Sequence, residues 1–287
     1  MFSRILVPLD GSKVAGEVLP RVALLARIFN SEIFLLGMWQ PEKNDGESFE
    51  IYLRKEARLL RRELRGWAKE VNLVIREGNA AERILEYTLE QEVDLIVMPS
   101  RAGAGQWLPG NTAERLLHGG KAVLVVQVEE NAPPAADIFA RVLVPLDGSE
   151  AATRVINPLA SIGRAVQSDI TLLMVVEKEH HVRTIGGLDY VPYLDDDLAA
   201  RKTAAAGYLG ELSGRLENSF ASVKTKVLSG SPAEEILKLA SGMDATLIAM
   251  ASHVHSPLES WFYGSVTHKI IQAAGSSFLL VPVNRAI

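Results

Sequence analysis

The sequence predicts an α/β protein of two tandem doubly wound domains, each built on a five-stranded parallel sheet. Three observations predict this. The hexapeptide Val-Pro-Leu-Asp-Gly-Ser occurs at Val7–Ser12 and again at Val144–Ser149, so the 287-residue chain repeats itself at about half its length. Short apolar runs without clear in-and-out alternation are separated by helix-length amphipathic stretches, which implies parallel strands covered on both faces. The same order of elements is found twice.

In the first half, Arg4–Pro8 is the first strand. Val18, Leu19, Val22, Leu25 and Ala26 then recur at helical spacing. Ile33–Met38 is the second strand, and a long helix follows over about Phe49–Val71. Its Arg54, Lys55, Arg58, Arg61, Arg62 and Arg65 interleave with Glu56, Glu63 and Glu70, as on a solvated helix face. Val71–Ile75 is the third strand, ending at Gly78, and Glu82–Glu90 a helix. Asp94–Met98 is the fourth strand, then come a Gly-rich loop over Ala102–Gly110, a helix from Thr112 to Leu117 and a fifth strand, Ala122–Val126.

The second half answers with strands Arg141–Pro145, Asp169–Met174, Val223–Leu228 (ending at Gly230), Asp244–Met250 and Phe278–Val281. Glu129–Asp137 contains two prolines and is expected to link the domains, which span 1–130 and 139–287 with 131–138 between them. The second half carries a longer excursion over 177–197, with His180, His181, Tyr190, Tyr193 and Asp195–Asp197, expected as a solvated surface loop, with a lid or partner-binding loop as the alternative.

Composition bounds the function. Each half is mildly acidic, with 17 basic against 19 acidic residues up to 134 and 13 against 16 after it, so neither attracts nucleic acid electrostatically. No apolar run approaches a membrane span of roughly 20 residues, and the N-terminus has no signal-peptide shape. The chain has no cysteine, which fits a cytoplasmic protein and excludes disulfides and cysteine metal sites.

In an open parallel sheet a ligand binds beyond the C-terminal strand ends, where strand order reverses. Three segments of the second half should meet there: Pro145-Leu-Asp147-Gly-Ser149, Gly230, and the loop Met250-Ala251-Ser-His253-Val254 with Gly264-Ser265-Val266 beyond it, where Ser265 is a candidate N-cap. The first-half counterparts are Pro8, Asp10, Gly78, Gly110 and Asn111. Met38 and Val175 stand at the ends of the second strands.

These motifs resemble the universal stress protein family: V-P-x-D-G-S after the first strand, a glycine after the third, and a loop ending in Gly264-Ser265-Val266. The resemblance covers nearly the whole chain as two copies. It implies a Rossmann-like, adenine nucleotide alpha hydrolase-like fold, pairing of the two domains through their fifth strands, and a regulatory stress-response role without catalysis, in a protein that is a candidate homodimer. It also implies a pocket for ATP, with Mg²⁺, or another adenine nucleotide. Nucleotide-binding members carry Gly-x-x-Gly, nine residues, then Gly-Ser or Gly-Thr. Here the first two glycines align with Ala251 and Val254 in the second half, where the spacing to Gly264 survives, and with Pro99 and Ala102 in the first, where seven residues precede Gly110-Asn111. A Cβ at those positions crowds a phosphate against the backbone. The second half therefore keeps more of the pattern.

Asp10 and Asp147 are either ribose ligands or turn carboxylates beside the next helix. His253 and His255 are read as loop histidines rather than metal ligands, since a metal needs a third ligand. Two other function classes stand beside the regulatory reading: a scaffold with vestigial pockets or a non-nucleotide ligand, and a slow nucleotide hydrolase, for which His253 is the evident candidate base. There is no Cys, no G-x-S-x-G and no H-E-x-x-H.

Overall fold

The structure is a computed structural model that describes residues 1–39, 46–67, 70–100, 116, 120–128, 135–177, 183–185, 188–190, 195–254, 265–273 and 275–284. The Gly-rich loop over 102–110, most of the helix expected over Thr112–Leu117, and His180, His181, Tyr193 and His255 lie outside these residues. So do 129–134 of the linker segment.

The first half runs β1 (Arg4–Leu9), α1 (Lys13–Gly16), α2 (Leu19–Phe29), β2 (Glu32–Trp39), α3 (Gly46–Glu63), β3 (Val71–Glu77), α4 (Ala80–Glu90), β4 (Leu95–Pro99) and β5 (Ala122–Val126). The second runs β6 (Arg141–Leu146), α5 (Ile156–Val166), β7 (Asp169–Val176), a hairpin of β8 (Arg183–Ile185) and β9 (Leu188–Tyr190), α6 (Asp195–Leu216), β10 (Ser222–Ser229), α7 (Pro232–Gly242), β11 (Leu247–Val254), α8 (Ser265–Ala273) and β12 (Ser277–Asn284). Each half has parallel strands in the order 3-2-1-4-5, so the order reverses beside β1 and beside β6.

The two five-stranded sheets join into one of ten strands. β12 pairs antiparallel with β5, Leu279 opposite Leu124 and Phe278 opposite Val125. This is the fifth-strand pairing that the family resemblance implies. One face is covered by α2, α3, α5 and α6, the other by α4, α7 and α8. Side chains alternate between the faces: β6 sends Val142, Val144 and Leu146 to the first and Leu143 to the second. Both core layers run across the β5–β12 seam. A 3₁₀ turn, Ala135–Phe139, ends the segment between the halves, with Ile138 and Phe139 buried.

Three element boundaries differ from the sequence-based expectation. The long first-half helix ends at Glu63, not Val71, and the chain turns over Leu64–Trp67 with Gly66 at φ +83°. A residue in the left-handed region stops helical propagation, and glycine adopts it without a Cβ penalty. The excursion over 177–197, expected as a surface loop, holds the antiparallel hairpin of β8 and β9, and Asp195–Asp197 begin α6. The third difference lies in the candidate site. Met250–Val254, expected as a loop, is the end of strand β11. Ser252, His253 and Val254 pair with Pro282, Val283 and Asn284 of β12, which itself runs past Val281. With Ala251 and Val254 in place of glycines, nothing forces a turn there, and Val favours extended backbone.

Candidate functional site

The repeated motif builds the same turn twice. Gly11 and Gly148 both take φ +84°, which reverses the chain just past β1 and β6. In the first turn, Asp10 Oδ1 accepts from Ser12 N at 2.9 Å and from Ser12 Oγ at 2.6 Å. In the second, Asp147 Oδ1 accepts from Ser149 N at 2.9 Å. Ser12 caps α1, its Oγ accepting from Ala15 N, and Ser149 Oγ accepts from Ala152 N at 3.1 Å at the start of a 3₁₀ turn, Ala151–Val155. Asp147 shapes its turn through Oδ1. Carboxylate oxygens hold about four acceptor sites, so a turn role and a ligand role are compatible at Asp147, which is exposed.

At the strand ends of the second half lies a cleft of about 850 Å³. Of the residues singled out in the sequence, Pro145, Asp147, Val175, Met250, Ala251 and Val266 line it. Its wall is mostly apolar, with Leu173, Val176 and Ile236 beside those residues. Gly230 sits at the rim of the sheet, its N–H donating to Val176 O at 3.2 Å, outside the lining. The backbone of His253 and Val254 lies in β11, but their side chains fall outside the described residues, as do Gly264 and the side chain of Ser265. Ser265 is the first residue of α8.

Sequence reasoning missed one wall of this cleft, the helix α6. Arg201, Ala204, Ala205 and Tyr208 line it from there, and Glu177 from the end of β7. Arg201 Nη1 donates to Glu177 O at 3.2 Å, holding the chain beyond β7 to α6. The Tyr208 hydroxyl is buried and has no hydrogen-bond partner among the described residues. Burial, reinforced by the charge of Asp147, raises its pKa, and Arg215 opposes the shift. The usable signal was the internal repeat carried down to the helices: Leu53, Ala57, Leu60 and Leu64 recur with the same spacing as Ala205, Leu209, Leu212 and Leu216, all buried.

That register shows how the halves differ. Leu9 pairs with Gly37 and Leu146 with Met174, so Gly37 and Met174 hold equivalent positions. In the first half the side chains of Phe49 and Leu53 fill the space over Gly37, and the Tyr52 hydroxyl donates to Ser12 O at 3.1 Å. Arg201, Ala204 and Ala205 take the places of Phe49, Tyr52 and Leu53 in the second half. Smaller side chains on α6 leave room beside Met174 that the first half fills with aromatic and aliphatic bulk. Of the remaining first-half candidates, Pro8 and Met38 are buried and Gly78 follows β3 at φ +123°. Gly110 and Asn111 lie outside the described residues.

Comparison with known proteins places this geometry. The sequence profile of the universal stress protein family matches residues 1–127 and again 139–282. Universal stress protein YxiE of Bacillus subtilis is 27% identical over 148 residues, covering 50% of this chain and 99% of that protein. Universal stress protein MJ0577 of Methanocaldococcus jannaschii is 27% identical over 154 residues, 50% of this chain and 95% of its own. The crystal structure of a putative universal stress protein from Pseudomonas aeruginosa UCBPP-PA14 superimposes with a TM-score of 0.72 at 16% identity, covering 98% of this chain and 93% of that one. One from Archaeoglobus fulgidus gives 0.63 at 17% identity, covering 98% and 99%. Matched twice along its length and sharing this fold from end to end, the chain belongs to the universal stress protein family.

Proposed function

We propose that this protein is a non-catalytic stress-response regulator, of domains 1–130 and 139–287, whose second domain binds an adenine nucleotide as a conformational effector. The observation that carries this is the cleft over β6, β7 and β11, at the point where strand order reverses. Its size falls within the few hundred to about 1,000 Å³ of small-molecule sites. Its apolar wall suits a purine, and Asp147 stands at its mouth to meet a ribose. An effector works by binding one state of the protein better than another, and the cleft is walled by the β6 turn, α6 and the end of β7.

The extension of β11 through Val254 favours a second reading on the phosphate side. The backbone amides that would cradle a phosphate in a glycine loop belong here to a strand pair. The base and ribose therefore carry the recognition, and a scaffold with a non-nucleotide ligand is the alternative. Calorimetric titration with ATP and Mg²⁺ tests the choice: binding at up to millimolar ligand supports the nucleotide reading, and flat heats over that range remove it in favour of the scaffold.

A further inference from the structure

The Tyr208 hydroxyl is enclosed, lies on a helix that walls the cleft, and has no hydrogen-bond partner among the described residues. Buried polar groups in native proteins are nearly always satisfied, so an orphan in a cleft wall marks where a partner enters. The first half shows the contrast, since its Tyr52 hydroxyl is satisfied by the carbonyl of Ser12. Tyr208 is also particular to the second half: the repeat puts Glu56 in its place in the first.

We propose that Tyr208 is a specificity-determining residue of the second-half cleft, donating a hydrogen bond to a ligand alcohol that in turn donates to the Asp147 carboxylate. The inference rests on the cleft being a nucleotide site, and it names the part of the ligand that is selected. The chemistry narrows the group to a hydroxyl. A carbonyl accepts from the phenol but offers nothing to the carboxylate, and a phosphate is repelled by it. An ammonium gives to the carboxylate but cannot accept. An alcohol does both at once, and the diol of a ribose is the part of a nucleotide that offers it. A tyrosine hydroxyl is protonated at neutral pH, and so a donor. A site with a buried group committed to a ligand hydroxyl rejects the analogue lacking it, because the group is then left unpaired.

The test titrates ATP and 2′,3′-dideoxy-ATP, each with Mg²⁺, into the full-length protein and its Tyr208→Phe variant. The wild type is expected to bind ATP about tenfold more tightly than the dideoxy analogue, one hydrogen bond's worth. Tyr208→Phe should lose about that factor for ATP and almost none for the analogue. Equal losses for both ligands, or no loss for ATP, overturn the assignment while leaving the nucleotide site intact. A wild type that binds neither ligand overturns both together. The free variant supplies a second readout: removing an unpartnered hydroxyl leaves the melting temperature unchanged or raised. A clear fall means that the hydroxyl already has a partner in the free protein, and the assignment fails.

Discussion

Tyr52 and Tyr208 are phenols on equivalent helices, held in opposite ways. Tyr52 donates to the backbone of the β1 turn and has its pKa pushed up by burial, with the charges of Glu56, Asp10 and Glu17 adding to it. Tyr208 is enclosed without a partner among the described residues, and its pKa is raised as well. An unfolded tyrosine titrates near pH 10, so above that the unfolded chain gives up phenolic protons that the folded chain retains. The unfolded state then binds fewer protons, and stability falls with rising pH. This contribution is fully present below about pH 10 and is lost as pH climbs toward the folded pKa. Urea midpoints measured from pH 8 to pH 11 should therefore fall, and fall less steeply in Tyr52→Phe than in wild type. Parallel slopes would show that Tyr52 titrates normally. The turn aspartates and the glycine between aspartate and serine were legible from the hexapeptide alone, because turn chemistry is local. The tyrosine contacts were not, since they depend on which turn of a helix meets a strand end many residues away.

At the scale of elements, α3 and α6 are the same helix built to different ends. Phe49, Leu53 and Gly37 pack together in one half, and Arg201, Ala205 and Met174 stand in their places in the other. Exchanging the set should exchange the result. The triple variant Met174→Gly, Arg201→Phe, Ala205→Leu is expected to stay folded, since volume moves between neighbours rather than being added outright. It should also lose nucleotide binding at up to millimolar ligand. Undiminished binding in a folded triple variant would show that the α6 wall is not part of the site. Periodicity and the repeat made nearly every strand and helix legible before the structure. The boundaries that moved each had a physical cause outside periodicity: a positive-φ glycine at 66, the pairing of 183–185 with 188–190, and a strand partner for 252–254. The last mattered most. A segment that aligned with a phosphate loop became a strand because β12 was there to pair with it, and that pairing is invisible to local sequence.

Across the whole molecule, the β5–β12 seam makes two domains one body. Leu124 and Leu279 face each other there, each about 1% exposed, and both core layers continue past them. Away from the seam, the buried guanidinium of Arg21 on α2 feels the charge of Asp137 from the turn between the halves; burial lowers its pKa, and the charges of Glu17 and Asp137 oppose that shift. Unfolding should accordingly be a single cooperative transition. Leu279→Asp, which drives an unpaired carboxylate into the seam, should cost roughly 3 kcal/mol or more and split or abolish that transition in urea. A loss below about 1 kcal/mol would mean that the halves stand independently. The repeat showed the common fold of the halves. The segments after the fourth strands already set the two sites apart in the sequence, the packing of α3 and α6 adds a second difference, and the central claim is that one half binds and the other does not. Titration of ATP with Mg²⁺ into wild type, Asp10→Ala and Asp147→Ala tests it most directly. The account expects one nucleotide per chain, kept by Asp10→Ala and weakened at least tenfold by Asp147→Ala, on the scale of a charge-assisted hydrogen bond. Two nucleotides per chain, or one that depends on Asp10 and not on Asp147, would contradict it.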